Sequence, residues 1–329
     1  MGELRQSYLV TAAGNVRHYH ELTKVLRMLR NEGIAVIVLK GAHLAEIVYG
    51  NIGLRPMCDV DLLVRKDDLS KAQRRLMEAG YYPFNNRLPL DIHWSIEHNI
   101  VPPLPIDVEE LWERAEACSI ADQNVLVLSP EDLLLHLCIH LSFHHLFSFA
   151  ALRTLCDIRE TIRHYATRID WGIVGERAKE WKVSKGVEIS LLLARKLLDA
   201  DVPDTVFPTH KNQHLDSYIQ WAVHQIFHGG ADRDLLSPFF CFLWRPVSMR
   251  QKAAHLLKFM IPPSEHVSER FQTTHGSRKN YLSYITRVKE HFGEYAQATW
   301  KMLTRDPETI QQVTRQNQNT AMREWLSSN

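Results

Sequence analysis

The sequence predicts an α+β fold: a small mixed sheet with helices, followed by a mainly helical region. Two observations carry this. Between residues 15 and 128 the hydrophobic pattern switches repeatedly between the helical and the strand period, and from Ser129 onward the strand signals largely vanish. We therefore expect an α/β domain over residues 1–125, including an N-terminal helix, and a helical accessory domain over 126–329, with the boundary near 120–128.

The elements follow in order. Leu22, Val25, Leu26 and Leu29 recur at helical spacing and predict a helix over 17–31, closed by Gly33. AVIVL (35–39) is short, apolar and β-branched, as a buried strand should be, and Lys40-Gly41 breaks it before a second helix, AHLAEIVYG. After the loop NIGLRPMC, DVDLLV (59–64) alternates as a strand, and DDLSKAQRRLMEAG (67–80) is an amphipathic helix with acids in its first turn. LDIHWSI (90–96) alternates again: Leu90, Ile92, Trp94 and Ile96 share one face, and Asp91, His93 and Ser95 the other. Ser129-Pro130-Glu131-Asp132 is a helix start, and further helices are expected over 130–146, 150–166, 171–182, 184–200, 214–228 and 281–302. The polar tail after Asp306 reads as loosely held.

Composition removes several function classes. With 39 Lys and Arg against 38 Asp and Glu, no global basic field exists to drive bulk nucleic-acid or membrane-surface binding. Residues 242–329 carry 13 bases against 7 acids, interleaved, which is either a set of solvated helix faces or a basic wall for a polyanionic substrate. The five cysteines form no CxxC pair, which argues against a disulfide framework or a zinc ribbon and predicts a reducing cytoplasm. A membrane-spanning run and a signal-like start are both missing from the sequence, so a soluble, uncleaved chain is expected.

Asp59 and Asp61 fall on the same face of their strand while Val60, Leu62 and Val64 point to the core. Two crowded carboxylates raise each other's pKa, and a hard divalent cation is the common remedy, although surface strands also carry paired acids for solubility. The context favours chemistry. Gly41 lets backbone approach a phosphate, Lys40 supplies a point charge, and Arg55, four residues before the first carboxylate, is expected to neutralise another phosphate oxygen of the nucleotide. Asp91 is the candidate third carboxylate, with Glu97 or Asp107 fitting the pattern equally.

The stretches VLKGAHLAEIVYGNIGLRPMCDVDLLV, LDIHWSI, SPEDLLLHLCIHLSFHHLFSFAALRTLCDI and MIPPSEHVSERF resemble the uncharacterised nucleotidyltransferase-like proteins of bacteria, a branch of the polymerase-β nucleotidyltransferase superfamily. The resemblance implies a small αβ catalytic core in which Asp59 and Asp61 bind two Mg²⁺ (or Mn²⁺), Asp91 is the third carboxylate, and Gly41 sits in a phosphate-binding turn. It also implies a nucleoside triphosphate, ATP among the candidates, and an unspecified acceptor. One departure matters. The superfamily usually has Gly-Ser at that turn, whereas this chain has Lys40-Gly41 and a longer gap to the carboxylates, so either Lys40 replaces the seryl contact or nucleotide binding has changed.

His136, His140 and His144 lie on one helical stripe, with His145 beside them. They read as packing histidines, as a wall of the substrate cleft, or as a metal site. His93 shares the face of Asp91 and is either near the acceptor or simply a polar strand position. Arg153 and Asp157 are spaced for an i,i+4 ion pair, and Cys58 has no partner base, which argues against a thiol nucleophile. Two functions remain: a Mg²⁺-dependent nucleotidyltransferase, or a catalytically degenerate nucleotide-binding or protein-interaction module of the same fold.

Overall fold

The structure, a computed structural model, describes residues 2–81, 89–96, 100, 103–148, 151–206, 215–228, 238–245, 247–252 and 298–328. Glu97, the segment MIPPSEHVSERF and most of the helix expected over 281–302 lie outside them. Contacts divide the chain into two compact units, Met1–Gly230 with Asn329, and Ala231–Ser328.

In the first unit, helix α1 runs Gly2–Asn31, fifteen residues longer at its start than the apolar spacing predicts. Its first two turns are exposed and carry no apolar stripe, so periodicity could not reveal them. It ends as expected: Gly33 takes φ +72° and the Ile34 amide donates back to Leu29 O at 2.9 Å. Strand β1 is only Ile37–Val38, followed by a short helix α2, Lys40–His43, which continues as a π-helical turn, Leu44–Val48. β2 (Val60–Leu63) and β3 (Leu90–His93) bracket helix α3 (Leu69–Glu78). Helix α4 (Val108–Arg114) leads to a hairpin of β4 (Glu116–Ile120) and β5 (Gln123–Val127), whose mixed polar pattern hides it from a periodicity argument.

The five strands form one sheet in the order β3-β2-β1-β5-β4. β1 pairs antiparallel with β2 and parallel with β5, and β2 pairs parallel with β3, opposing Asp61 to Asp91 and Leu62 to Ile92. Val60, Leu62 and Val64 enter a core with Leu22, Val25 and Leu29 of α1 and Ala72 and Leu76 of α3. The mixed α+β architecture is therefore the one the sequence predicts.

The helices after the sheet belong to the same unit. Helix α5 (Pro130–Ile139) is capped by Ser129, whose Oγ accepts the Asp132 amide at 3.2 Å, and every one of its residues is buried. It passes into a second π-helical turn, His140–His144. Helices α6 (Ala151–His164), α7 (Trp171–Glu180) and α8 (Ser184–Leu198) pack against α5, and α9 (Leu215–His228) packs on α8. Asp132, fully buried, accepts from Arg114 at 2.9 Å and from Arg177 at 2.9 Å, so one carboxylate joins α4, α5 and α7. The sequence boundary near 120–128 thus lies inside a continuously packed unit.

In the second unit, α10 (Pro238–Leu243) packs with α11 (Pro307–Ser327) around Phe240, Cys241, Ala298 and Val313. The tail expected to be loose is this helix. Asp306 caps it, accepting the Thr309 amide at 2.9 Å, and Val313, Met322 and Leu326 are buried along it. Arg245 pairs with Glu324 at 3.1 Å and donates to Asn317 at 3.0 Å, so at least this base of the 242–329 segment serves internal contacts.

Candidate active site

The antiparallel pairing of β1 with β2 sets the site. Leu39 N donates to Asp61 O at 3.0 Å, which brings the turn at Lys40-Gly41 alongside the carboxylates. Lys40 takes φ +30°, a conformation that strains a residue with a Cβ. Its Nζ reaches within 3.6 Å of Asp61 Oδ1. Gly41 is needed for close approach: a Cβ there would stand 3.0 Å from Arg55 Nη1 and 3.4 Å from Met57.

Lys40, Gly41, Arg55, Asp59, Asp61, Asp91 and His93 all line one cavity of about 220 Å³, with His140, His144, His145 and Arg153 on the helical side. Asp61 is buried, and its parallel neighbour Asp91 is exposed. His93 Nε2 lies 3.0 Å from Asp61 Oδ1 and 3.5 Å from Asp91 Oδ2, between the two carboxylates. Burial alone would raise the Asp61 pKa, but the hydrogen bond from His93 and the Lys40 charge outweigh it and hold this carboxyl well below the usual range. Asp59 opens to solvent through the cavity, yet the protein crowded around it, and then the Asp61 charge, push its carboxyl above the usual range. The strand therefore carries one firmly ionised carboxylate and one that is reluctant to ionise.

Arg55 and Arg153 depart from the sequence reading. Arg153 does not take Asp157 as an i,i+4 partner. Asp157 instead accepts from Arg55 Nε at 3.2 Å and Nη2 at 2.9 Å, and from Tyr49 OH at 3.0 Å. Burial opposes the charged form of Arg55, but Asp157 more than compensates and its pKa is raised. Arg153 points into the cavity, where Nη1 sits 3.8 Å from Cys58 Sγ. The sequence could not show this, because the residue that takes Asp157 and so frees Arg153 is Arg55, 102 positions before Asp157. Asn15 Nδ2 donates to Arg55 O at 2.8 Å and also to Ile52 O, pinning the loop that leads to Asp59.

Of the four histidines, His136 is fully buried, its ring 6.4 Å from that of His140. His140, His144 and His145 line the cavity, with His140 and His144 stacked at 5.0 Å and His145 edge-on to His140 at 4.4 Å. Burial, then the Lys40 charge, hold His140 far below its ordinary pKa, so its ring is neutral at pH 7. Asp107 lies elsewhere: it caps α4, accepting the Glu109 amide at 2.9 Å.

Ligand atoms of Asp61, Asp91 and His93 lie within 4.8 Å of one another, and Asp59 shares their cavity. The Asp61 and Asp91 carboxylates, paired across β2 and β3, offer the hard oxygens that Mg²⁺ or Mn²⁺ takes, with His93 as a further donor that Mn²⁺ tolerates better and Asp59 lining the same cavity, so these residues fit such an ion.

A strand-turn-helix running into paired carboxylates on the neighbouring antiparallel strand, with a third acid on the next strand, defines a nucleotidyltransferase-like α+β core. The family described as uncharacterised nucleotidyltransferase matches residues 1–199, and the chain belongs to it. Neither a curated protein nor a solved structure matches the chain. Nucleotidyltransferases generally act with divalent metal ions, and among the described residues no helix is long and apolar enough to cross a membrane.

Proposed function

We propose that this protein transfers a nucleoside monophosphate from a nucleoside triphosphate to an acceptor, with Asp59, Asp61 and Asp91 as the catalytic and metal-holding carboxylates. The observation that carries the reading is the register: Asp61 faces Asp91 across β2 and β3 while Lys40-Gly41 abuts Asp61 from β1. Mg²⁺ or Mn²⁺, held by the three carboxylates, would supply the positive charge that the α-phosphate and the departing pyrophosphate require.

The chain's own groups do the rest. Lys40 neutralises triphosphate oxygens, Gly41 lets the backbone close on them, and Arg55, clamped by Asp157, supports the turn from behind. An acceptor hydroxyl, phosphate or amine attacks the α-phosphorus; the α–β phosphoanhydride bond breaks, pyrophosphate departs, and the acceptor's proton passes to a carboxylate of the set. His93, His140 and His144 form the acceptor side of the cavity. In this reading residues 1–125 supply catalysis and 126–329 the substrate-binding accessory part.

A second reading, a nucleotide-binding or protein-interaction module without catalysis, draws on one observation: the Lys40 ammonium lies 3.6 Å from Asp61 and balances the charge a metal would otherwise balance. Incubation with each labelled triphosphate and Mg²⁺ or Mn²⁺ separates the two. Pyrophosphate release that disappears in Asp61→Asn supports transfer, whereas saturable nucleotide binding with no pyrophosphate supports the module.

A further inference from the structure

The π-helical turn at His140–His144 faces the cavity and has a geometric effect that spacing alone does not reveal. His145 N donates to His140 O at 3.0 Å, an i to i+5 bond. In a regular α-helix, at about 100° per residue, residues five apart sit about 140° around the axis from each other. Widening the turn to roughly 4.4 residues cuts that offset to roughly 50°. The stripe expected from four-residue spacing, His136-His140-His144, is thereby replaced by a cluster of His140, His144 and His145, with His136 left in the core.

We propose that His140, His144 and His145 bind one borderline transition dication, Zn²⁺ first among them, at a place in the cavity separate from the carboxylates. Their ring nitrogens already lie within 4.8 Å of one another, as a group distinct from Asp61, Asp91 and His93. A tetrahedral ion with nitrogen ligands at about 2.1 Å spaces them about 3.4 Å apart, which modest side-chain rotations supply. The donor set selects the ion. Three imidazoles with no carboxylate suit Zn²⁺, Co²⁺, Ni²⁺ or Cu²⁺ and bind the hard, oxygen-seeking Mg²⁺ and Ca²⁺ poorly. Three protein ligands also leave a fourth position for water or a substrate group, and the cavity lies next to it. His144 is exposed at the rim, giving the ion a way in.

The test is titration of the chelator-stripped full chain with Co²⁺ alone, without nucleotide, followed by displacement with Zn²⁺. One Co²⁺ per chain with the visible absorption of tetrahedral nitrogen ligation is expected. His144→Asn and His145→Asn should each weaken binding about 100-fold with the circular dichroism and melting temperature of the parent retained. Asp61→Asn should bind Co²⁺ as the parent does, which also separates this inference from the fate of the transferase reading. Absence of the band in the parent overturns the proposal. So does a site that Asp61→Asn abolishes, whether or not the histidine variants lose it too, because the ion would then belong to the carboxylates.

Discussion

Asp157 grips Arg55 through both carboxylate oxygens, at 3.2 and 2.9 Å, across 102 residues of sequence. The carboxylate is 1% exposed and the arginine 8%, so the pair is a buried joint between α6 and the loop that delivers Asp59. Removing one partner strands the other's charge. Asp157→Ala should therefore cost about 3–5 kcal/mol in urea unfolding, whereas the paired replacement Arg55→Met with Asp157→Leu should recover most of that loss. A double variant no more stable than Asp157→Ala would show that the joint contributes by packing and not by charge pairing.

Asp59 and Asp61 should respond unequally to neutralisation. Asp59 is held above its usual pKa by the protein crowded around it and by Asp61, so Asp59→Asn relieves repulsion and is expected to leave stability unchanged or slightly higher. Asp61 is held below it by His93 and Lys40, so Asp61→Asn discards favourable contacts and should cost about 1–3 kcal/mol. Both should abolish nucleotidyl transfer. Thermal unfolding without metal checks the first pair of statements, and a pyrophosphate-release assay the second.

Lys40 combines a strained backbone with a charge. Lys40→Gly and Lys40→Ala both delete the ammonium, and each should raise the nucleotide KM and lower kcat for a total of about 2–4 kcal/mol. Only glycine accepts φ +30° freely, so Lys40→Gly should be about 1 kcal/mol more stable than Lys40→Ala. Equal stabilities would mean that the turn relaxes to accommodate a Cβ. Lys40→Arg should restore activity only in part, because a planar fork does not reproduce a compact point charge beside Gly41.

His43 makes a stability prediction away from the carboxylates. It is buried, with Nε2 3.2 Å from Tyr165 OH, and burial, then the charge of His164, lower its pKa from 6.5 to about 4. The folded protein thus binds fewer protons than the unfolded chain between those values. Stability from this group is complete above pH 6.5 and is lost as pH falls toward 4, by roughly 3 kcal/mol in all. The difference between parent and His43→Gln unfolding free energies, measured from pH 7.5 to 4, should shrink over that window. A pH-independent difference would show that His43 titrates normally in the fold.

What was legible in the sequence had short range. The DVDLLV alternation, the break at Lys40-Gly41 and the polar face of LDIHWSI each report on a few neighbouring side chains, and they led to Asp61 opposing Asp91 and to the turn beside them. The start of α1 was illegible because its exposed first turns carry no stripe. Arg153 was assigned to Asp157 because only the folded chain brings Arg55 to that carboxylate first. His145 joined the cavity through one widened helical turn, a backbone choice that residue types do not encode. The capped helix after Asp306 was written in Asp306, Pro307 and its spaced apolar residues, but its polar composition masked them.

Among the described residues, β3 is an edge strand, bonded only to β2, whereas β2 lies between β3 and β1. Its four residues can detach by local opening while the rest of the sheet stays closed, and their amides should exchange with solvent deuterium ahead of those of Val60–Leu63. Asp61 lies on the inner of these two strands, and Asp59 directly precedes that strand. Asp91 rides on the outer strand, so its place opposite Asp61 should be the first part of this cavity to loosen as denaturant is added.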